Sequence, residues 1–286
     1  MEQAIRVEQL TKHFKEFTLD HVSFSLPKGY IMGLIGKNGS GKTTTIQLLL
    51  RMLAKDDGHI SILGKQVEAQ EQAIKQEIAV VFDDVFFVES WKVRDVESAI
   101  APFYPLWDST LYHQYVSQFQ LSLDKSIQDL SRGMKMKLML AVALSRKAKL
   151  LILDEPTSGL DPVARDELMD ILLRYVEDAE HSVLFSTHIT TDLDKIADYL
   201  TVLQNGKVFY SGEKDALKEQ YCIVKGDPSE VSVYLKSHLI GYRSYSTGFE
   251  AMLKVSDMAL LTSNMVCEEL SLDDILIFLN QSQEEI

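Results

Sequence analysis

The sequence has few cysteines and no long hydrophobic run. Among its 286 residues are two cysteines, Cys222 and Cys267, which lie apart in the chain and lack the spacing of a metal site. We therefore expect free, buried thiols in a reducing compartment. No stretch approaches the roughly 20 apolar residues that a membrane-spanning helix needs. The first residues lack the basic-then-apolar layout of a signal peptide. We expect a soluble chain whose membrane role, if any, depends on a partner.

Basic residues are in the minority as well. The formal net charge is −13. Because nucleic-acid phosphates are bound by basic surfaces, this acidic total argues against a nucleic-acid partner, although it is compatible with a local basic pocket. The length allows one large domain and a smaller one. No internal repeat or low-complexity segment is visible.

The chain does contain a glycine-rich loop of the kind that binds nucleotide phosphates. Residues 36–43 read G-x-x-x-x-G-K-T between two apolar runs, which is the strand–loop–helix setting of this motif. Glycines let successive backbone N–H groups face a polyanion, and the following helix adds the positive end of its dipole. Lys42 is predicted to reach the β- and γ-phosphates, and the Thr43 hydroxyl to ligate Mg²⁺. A simple glycine-rich turn is the alternative. The predicted loop contacts to nucleotide are Gly36, Lys37, Asn38, Gly39, Ser40, Gly41, Lys42, Thr43 and Thr44.

Several apolar runs end in residues suited to phosphate chemistry. The runs are 30–35, which enters the phosphate loop, 78–82, followed by Asp83, 150–153, followed by Asp154, and 182–187, followed by His188. Continuous apolar runs of this length are typical of parallel strands buried on both faces. Ligands of open α/β sheets bind beyond the carboxyl ends of the strands, so these polar residues should meet at one edge beside the nucleotide.

Each of these residues suits hydrolysis of a nucleoside triphosphate. Asp154 is predicted to hold Mg²⁺ directly or through a bound water. Glu155 is the candidate that orients and deprotonates the attacking water, and the nearby polyphosphate charge should raise its pKa. His188 is predicted to contact the γ-phosphate or that water, with a purely structural histidine as the alternative. Lys42, Glu155 and His188 form the predicted catalytic set.

With these motifs, residues 1–215 resemble the ATP-binding cassette (ABC) ATPases. Residues 130–134, Leu-Ser-Arg-Gly-Met, are similar to the family signature Leu-Ser-Gly-Gly-Gln, residues 158–161 to the D-loop, and residues 186–188 to the switch histidine. The resemblance implies a head-to-tail dimer in which each nucleotide lies between one phosphate loop and the opposite signature. Ser131 and the Gly133 amide would contact the γ-phosphate across that interface.

The signature departs from the family pattern at two positions. Arg132 and Met134 stand where glycine and glutamine are usual. This variant is similar to the cassettes of ABC-2-type exporters. Arg132 would either touch nucleotide or be solvated.

Two other functional positions also differ from the family or are ambiguous. The glutamine-loop position is matched by Asp83, or by Asp84 if the register shifts by one. An aspartate there can still bind a Mg²⁺-bound water, so Asp83 joins Thr43 and Asp154 as a predicted metal contact. The aromatic residue that stacks on adenine is best matched by Phe14. Phe17 is the second choice, and a core phenylalanine is the alternative reading.

The predicted fold is a P-loop NTPase of the RecA-like class. It has a mostly parallel core, an antiparallel β-subdomain at its amino end and a helical signature subdomain at about residues 88–146. Residues 1–218 form the nucleotide-binding domain, and residues 219–286 a small α/β appendage for dimer contact, regulation or structural support. The finer local predictions are a capped helix at 126–144, a helix capped by Thr191, a hairpin with its turn at Asn205-Gly206 and a capping box at Ser271.

The resemblance implies the ATPase subunit of an ABC-2-type exporter, bound with ATP and Mg²⁺ to separate transmembrane subunits at the cytoplasmic face. Its partner cassette would be a second copy or a paralogue. The aromatics Phe86, Phe87 and Trp91 would form the wall of a groove for a short helix of the membrane subunit, with core packing as the alternative. The cassette and its appendage are also similar to bacterial peptide exporters of the phenol-soluble-modulin type. The rival functions are a non-transport ABC ATPase in translation or DNA maintenance, and a binding module without turnover.

Overall fold

The computed structural model describes residues 2–83 and 86–281. Within those ranges no helix is both long and apolar enough to cross a membrane. The strands, numbered in chain order, are β1 (Gln3–His13), β2 (Thr18–Pro27), β3 (Ile31–Ile35), β4 (Asp57–Ile62), β5 (Lys65–Gln66), β6 (Ile78–Val81), β7 (Leu150–Asp154), β8 (Ser182–Thr187), β9 (Tyr199–Gln204), β10 (Lys207–Glu213), β11 (Tyr221–Gly226), β12 (Ile240–Tyr245), β13 (Gly248–Lys254) and β14 (Val266–Glu268).

The helices are numbered in the same way. They are α1 (Lys42–Leu49), α2 (Glu71–Glu77), α3 (Val93–Ile100), α4 (Ser109–Gln118), α5 (Arg132–Ser145), α6 (Pro162–Val176), α7 (Thr190–Ile196), α8 (Lys214–Gln220), α9 (Val233–Lys236) and α10 (Leu272–Gln281). Short 3-10 helices occupy Ala101–Phe103, Ile127–Asp129, Pro228–Glu230 and Val255–Leu260.

The central sheet has the strand order β10-β9-β3-β8-β7-β6. Its pairs are parallel except for the hairpin of β9 and β10. The register sets Ile35 opposite Thr187 and Asp154 opposite Ser186. The mostly parallel core is confirmed, and the carboxyl ends of β3, β6, β7 and β8 do meet at one edge.

Both faces of the central sheet are buried, in two separate cores. Ile152 and Leu184 belong to the core shared with α1 and the antiparallel sheet β2-β1-β4-β5. Their neighbours Leu151 and Val183 belong to the opposite core, shared with α5, α6 and α7. Every side chain of β7 and β8 is therefore buried, which explains why the sequence shows continuous apolar runs rather than an alternating pattern.

The signature helix begins later than predicted. Ser126 caps only a 3-10 turn, and α5 starts at Arg132 with Ser131 as its N-cap, whose Oγ accepts from the Met134 N–H at 3.3 Å. The turn does not continue into α5 because the backbone is extended at Leu130 and Ser131, with ψ of 138° and 162°. The turn itself is held by other segments: Ile127 N–H donates to Trp91 O at 2.8 Å, and Gln128 N–H to Glu89 O at 3.0 Å. The helix over 126–144 is thus wrong at its start.

The helix after β8 also begins differently, whereas the next hairpin is confirmed. Helix α7 starts at Thr190 after Ile189, which offers no side-chain cap, so the predicted cap at Thr191 is wrong. The Thr190 hydroxyl instead donates to the Asp273 carboxylate. The β9–β10 hairpin turns at Asn205 and Gly206, whose φ values of +48° and +77° suit an Asn-Gly turn.

The C-terminal unit is built onto the core of the cassette. Its antiparallel sheet has the order β12-β13-β11-β14, of which β12 and β14 had no clear sequence signal. The capping box of α10 is confirmed, because Ser271 Oγ accepts from Asp274 N–H at 3.1 Å and the Asp274 carboxylate accepts from Ser271 N–H at 3.0 Å. Helix α10 contributes Ile275 and Phe278 to the same core as Leu193 of α7.

The cysteines are far apart in sequence but close in the C-terminal sheet. Cys222 lies on β11 and Cys267 on the neighbouring β14. Both are free, and Cys222 is buried while Cys267 is half-buried. Burial raises the pKa of the Cys222 thiol to about 12, and its hydrogen bond to the Cys267 thiol acts in the same direction. Cys222 is therefore a neutral, weakly reactive thiol.

We expect Phe278→Ala to lower the free energy of unfolding by about 3–5 kcal/mol, because it leaves a cavity where α10 meets the cassette. Ile277→Ala is the matched control, since the neighbouring side chain is 40% exposed. Urea denaturation followed by circular dichroism measures both. Equal effects of the two substitutions would contradict the shared core.

Candidate nucleotide-binding site

A cleft of about 600 Å³ opens at the carboxyl edge of the central sheet. Its lining combines the phosphate loop with the segments after β6, β7 and β8. The lining residues are Glu16, Phe17, Asn38, Gly39, Gly41, Lys42, Thr43, Thr44, Asp83, Glu155, Ser158 and His188. The sequence motifs thus come together around one cavity. Glu16 and Ser158 were not predicted as lining residues, although Ser158 opens the segment that resembles the D-loop.

The phosphate loop depends on glycine at three of its positions. At Gly36 an added Cβ would lie 2.4 Å from Leu203 O. Gly41 precedes α1 with φ +110°, and an added Cβ there would lie 2.8 Å from Leu19 Cδ1. Gly39 has φ +80° with open space around it, so only its backbone conformation requires glycine. The loop is therefore held in a shape that leaves its amides free of side-chain cover. Such a cradle fits a polyphosphate.

Lys42 is buried in the loop and bridges it to the strand edge. Its Nζ donates to Gly36 O at 2.8 Å and to Lys37 O at 3.4 Å. The same ammonium group lies 3.2 Å from Glu155 Oε1. Gly36, Lys37 and Ser40 thus form the frame of the loop rather than the wall of the cavity. The Ser40 Oγ is buried without a hydrogen-bond partner among the described residues.

Glu155 lies between the phosphate loop and the switch segment. Its Oε1 pairs with Lys42, and its Oε2 accepts from His188 Nδ1 at 2.8 Å. Its backbone has φ +50°, which is uncommon for a residue with a side chain. The Glu155 N–H donates to Ser186 O at 3.0 Å, which holds this conformation. Backbone strain of this kind is concentrated at functional sites.

Asp154 is positioned by a serine that sequence reasoning did not single out. The carboxylate is buried at the end of β7, and its Oδ1 accepts from the Ser186 hydroxyl on the adjacent strand. Ser186 is part of the predicted Ser-Thr-His segment, but its contact follows from the β7–β8 register rather than from any motif. Asp154 does not line the cavity itself; Thr43 and Glu155 do.

The oxygen donors at this edge fit a hard cation such as Mg²⁺. They are the Thr43 hydroxyl and the carboxylates of Asp154 and Asp83. Over residues 2–83 and 86–281, no three His, Cys, Asp or Glu side chains cluster closely enough to hold a metal alone. A magnesium ion here would therefore need phosphate oxygens as additional ligands. The alternative residue Asp84 lies outside the described residues.

The signature residues Ser131 and Gly133 do not line this cavity. Ser131 caps α5, and an added Cβ at Gly133 would meet only Leu160 Cδ2, at 3.6 Å, so this helix end is open. Arg132 is 51% exposed, so it is partly solvated, and it also makes contacts that neither predicted alternative included. Its guanidinium binds the Asp83 carboxylate and donates to Ser158 Oγ at 3.1 Å.

The D-loop is fixed by the cap of the next helix. The Asp161 carboxylate accepts from the backbone N–H of Ala164 and of Val163, each at 3.0 Å. These bonds, led by the one from Ala164, lower the pKa of Asp161 below its usual range. Asp161 is thus a charged helix cap that anchors the segment carrying Ser158.

Phe17 rather than Phe14 lies at the cavity. The Phe17 ring lines it and comes within 3.1 Å of a Cβ added at Gly41. Phe14 is 43% exposed and does not line the cavity, although its ring centroid is 6.2 Å from that of Phe17. The structure therefore favours the second choice for the adenine contact.

A second groove, of about 640 Å³, runs along the helical segment. Phe87 lines it together with Ile127, Met136 and Met139 of the signature region. Of the other two predicted wall residues, Phe86 is 71% exposed and packs edge-to-face on Phe82, and Trp91 packs against the core. Of that aromatic cluster, only Phe87 lines the groove.

Known proteins match this chain over most of its length. The sequence model of a family described as ABC transporter matches residues 19–158. The chain is 31% identical over 250 residues to the Nod factor export ATP-binding protein I of Neorhizobium galegae, covering 82% of this chain and 71% of that protein. It is 28% identical to the bacitracin transport ATP-binding protein BcrA of Bacillus licheniformis, covering 77% of this chain and 73% of that protein. A solved structure described as the ATP binding subunit of an ABC transporter superposes with a TM-score of 0.68 at 26% identity, covering 76% of this chain and 92% of the other.

We expect Phe17→Ala to weaken binding of a fluorescent ATP analogue about tenfold, since stacking of an aromatic ring on a base contributes roughly 1–3 kcal/mol. Phe14→Ala, which removes a ring of the same size outside the cavity, should leave the affinity unchanged. Titration with inorganic triphosphate, which has no base, should show no effect of either substitution. If Phe14→Ala weakened binding of the ATP analogue and Phe17→Ala did not, the adenine contact would be assigned to Phe14 instead.

Proposed function

Because this chain belongs to the ABC transporter family of ATP-binding proteins, we propose that it is the ATP-hydrolysing subunit of an exporter. The observation that carries the proposal is the line of contacts from Lys42 through Glu155 to His188 along one cavity. It joins a phosphate-binding ammonium group, a carboxylate and an imidazole, which together can bind a triphosphate and activate water.

Nucleotide binding is assigned to the loop around Lys42. The backbone amides of residues 38, 39 and 41–44 would hold the phosphates, Lys42 the β- and γ-phosphates, and Phe17 the adenine. Thr43, Asp154 and Asp83 would hold Mg²⁺ directly or through water. When bound, that ion neutralises phosphate charge and aligns the γ-phosphate for attack.

Hydrolysis is assigned to Glu155 as general base. Its carboxylate is shared between Lys42 and His188. A γ-phosphate would take over Lys42 as its counter-ion, so Glu155 would then be free to accept a proton from water. His188 is fixed by the same carboxylate and can orient that water or the phosphate.

The open end of α5 supports a head-to-tail dimer. Ser131 and Gly133 stand outside their own cavity at the start of a fourteen-residue helix, where the helix dipole favours an anion. A second copy or a paralogous subunit would bring this helix end to the γ-phosphate. ATP would then hold the two cassettes together, and hydrolysis would release them. This cycle would transmit work to a membrane partner.

The membrane partner is proposed to be a separate integral subunit, with this chain at the cytoplasmic face. The groove around Phe87 would receive a short helix of that subunit. Its lining combines apolar side chains, among them Phe87 and Met136, with the charged side chains of Asp83, Glu89, Arg132 and Lys135. The basic third residue of the signature supports the ABC-2-type exporter group, and the names of the Nod factor export and bacitracin transport relatives support an exported cargo. Export of phenol-soluble-modulin-type peptides is the narrowest form of this proposal.

A role in translation or DNA maintenance is the rival proposal. The names of the relatives, Nod factor export and bacitracin transport, favour transport over it. A binding module without turnover is disfavoured by Glu155, because a carboxylate at this position serves the chemical step rather than phosphate binding.

We expect Glu155→Gln to lower kcat for Mg²⁺-dependent phosphate release by about a hundredfold or more while ATP affinity is kept, because it removes the general base but not the loop. The variant should retain ATP and elute as a dimer in light-scattering chromatography. Glu177→Gln, at an exposed position after α6, is the control and should behave as the wild-type chain. Turnover by Glu155→Gln at the wild-type rate would exclude the assigned base.

We expect Phe87→Ala to weaken association with the integral subunit at least about tenfold, since a buried aromatic anchor dominates contacts of this size. The tagged chain would be purified from solubilised membranes, and the integral subunit and the ATPase rate of the complex measured. Phe103→Ala, an aromatic 69% exposed in the same helical segment, is the control. Recovery of the chain with ribosomes and without an integral subunit would support the rival.

A further inference from the structure

Arg132 connects three segments that belong to different parts of the site. It is the first residue of α5, and its guanidinium binds the Asp83 carboxylate after β6. The same terminal nitrogen donates to Ser158 Oγ in the segment after β7, at 3.1 Å. An added Cβ at Gly159 would lie 2.9 Å from Arg132 Cδ, so the arginine stem packs directly on that glycine.

These contacts link the two cavities. Asp83 lines both the nucleotide cavity and the groove around Phe87. Arg132 lines only the groove, and Ser158 only the nucleotide cavity. A displacement of α5 along the groove would therefore move charges at the nucleotide cavity through a single side chain.

The pair does not act mainly through stability. The Arg132 and Asp83 side chains are 51% and 45% exposed, and exposed ion pairs contribute little to folding. Its effect is geometric, since guanidinium is a rigid fork that fixes the direction of its partners. The two charges also depend on each other, because the Arg132 guanidinium holds the Asp83 carboxylate in one direction.

We propose that Arg132 and Asp83 are paired positioning residues, which set the orientation of the signature helix end and of the D-loop for hydrolysis in the adjoining cavity. The inference rests on the proposed ATPase function and assigns these residues to turnover rather than to nucleotide affinity. Neither residue acts on the attacking water. Arg132 acts through Ser158, to which it donates, and through Ser131, its neighbour in the chain, and Asp83 acts through Arg132.

The test is a double-mutant cycle in the full chain, with Arg132→Gly, Asp83→Gln and the double variant. Each single substitution should lower kcat about tenfold with KM and ATP affinity unchanged, because coupled pairs lose their interaction on either change. The double variant should lose no more than the single ones. The pair of Arg94 and Asp124, also exposed in the helical segment, supplies the control: Arg94→Gln should leave kcat unchanged.

A second measurement does not depend on hydrolysis. The Ser158 amide donates to Glu155 O at 3.1 Å, and the Leu160 amide donates to Thr157 O at 3.1 Å. In the nucleotide-free chain, Arg132→Gly should speed their hydrogen exchange about tenfold by loosening the D-loop, and Arg94→Gln should not.

The outcomes separate the two proposals. Independent, multiplicative losses of kcat, or a change in ATP affinity as large as that in kcat, would overturn the pairing. Unchanged exchange at Ser158 and Leu160 in Arg132→Gly would overturn the positioning role. A wild-type chain that releases no phosphate, yet shows the exchange difference, would contradict the proposed function while supporting the link between Arg132 and the D-loop.

Discussion

The site depends on one carboxylate held between an ammonium group and an imidazole at the end of a buried strand. Glu155 accepts from His188 and pairs with Lys42. Its left-handed backbone costs roughly 1–2 kcal/mol, which the hydrogen bond from its N–H to Ser186 O and its side-chain contacts offset. Because of this arrangement, the phosphate loop and the switch segment both contact the Glu155 carboxylate. A displacement of either segment therefore changes the contacts of the other.

The sheet that carries Glu155 is rigid for a simple reason. Its inner strands are buried on both faces in close-packed cores, so a slip of one residue would misfit every side chain against its neighbours and would separate Asp154 from Ser186. The register fixes Asp154 beside Ser186 and so fixes the polar edge. The C-terminal unit is connected to the same edge, because the Asp273 carboxylate accepts from the Thr190 hydroxyl, two residues beyond His188. This contact joins α10 to the segment that carries His188.

Short motifs and strand endings were readable from the sequence because their chemistry is local. The phosphate loop, the polar ends of β7 and β8 and the Asn-Gly hairpin each contain their own signal. Other features depend on distant partners. Phe14 and Phe17 flank the same turn, and the sequence does not distinguish them as the adenine contact. The packing of the Phe17 ring beside Gly41, at the cavity, favours Phe17. The turn before α5 is held by the backbone of residues 89–91, and α5 starts only after the extended residues 130 and 131.

Contacts between segments were the least predictable part of the site. Arg132 and Asp83 are 49 positions apart, and each was seen in the sequence only as a departure from the family pattern. Ser186 was read as part of a motif, yet its contact with Asp154 follows from strand pairing. The short strands β12 and β14 carry mixed, half-buried side chains and offer no clear periodicity.

The most direct test is a structure of the Glu155→Gln chain with ATP and Mg²⁺. The account predicts that Lys42 Nζ and the amides of residues 38, 39 and 41–44 lie within hydrogen-bonding distance of the phosphates. Ser131 of a second copy should reach the γ-phosphate. A triphosphate bound outside the loop, or a dimer in which that serine faces away from it, would contradict the account.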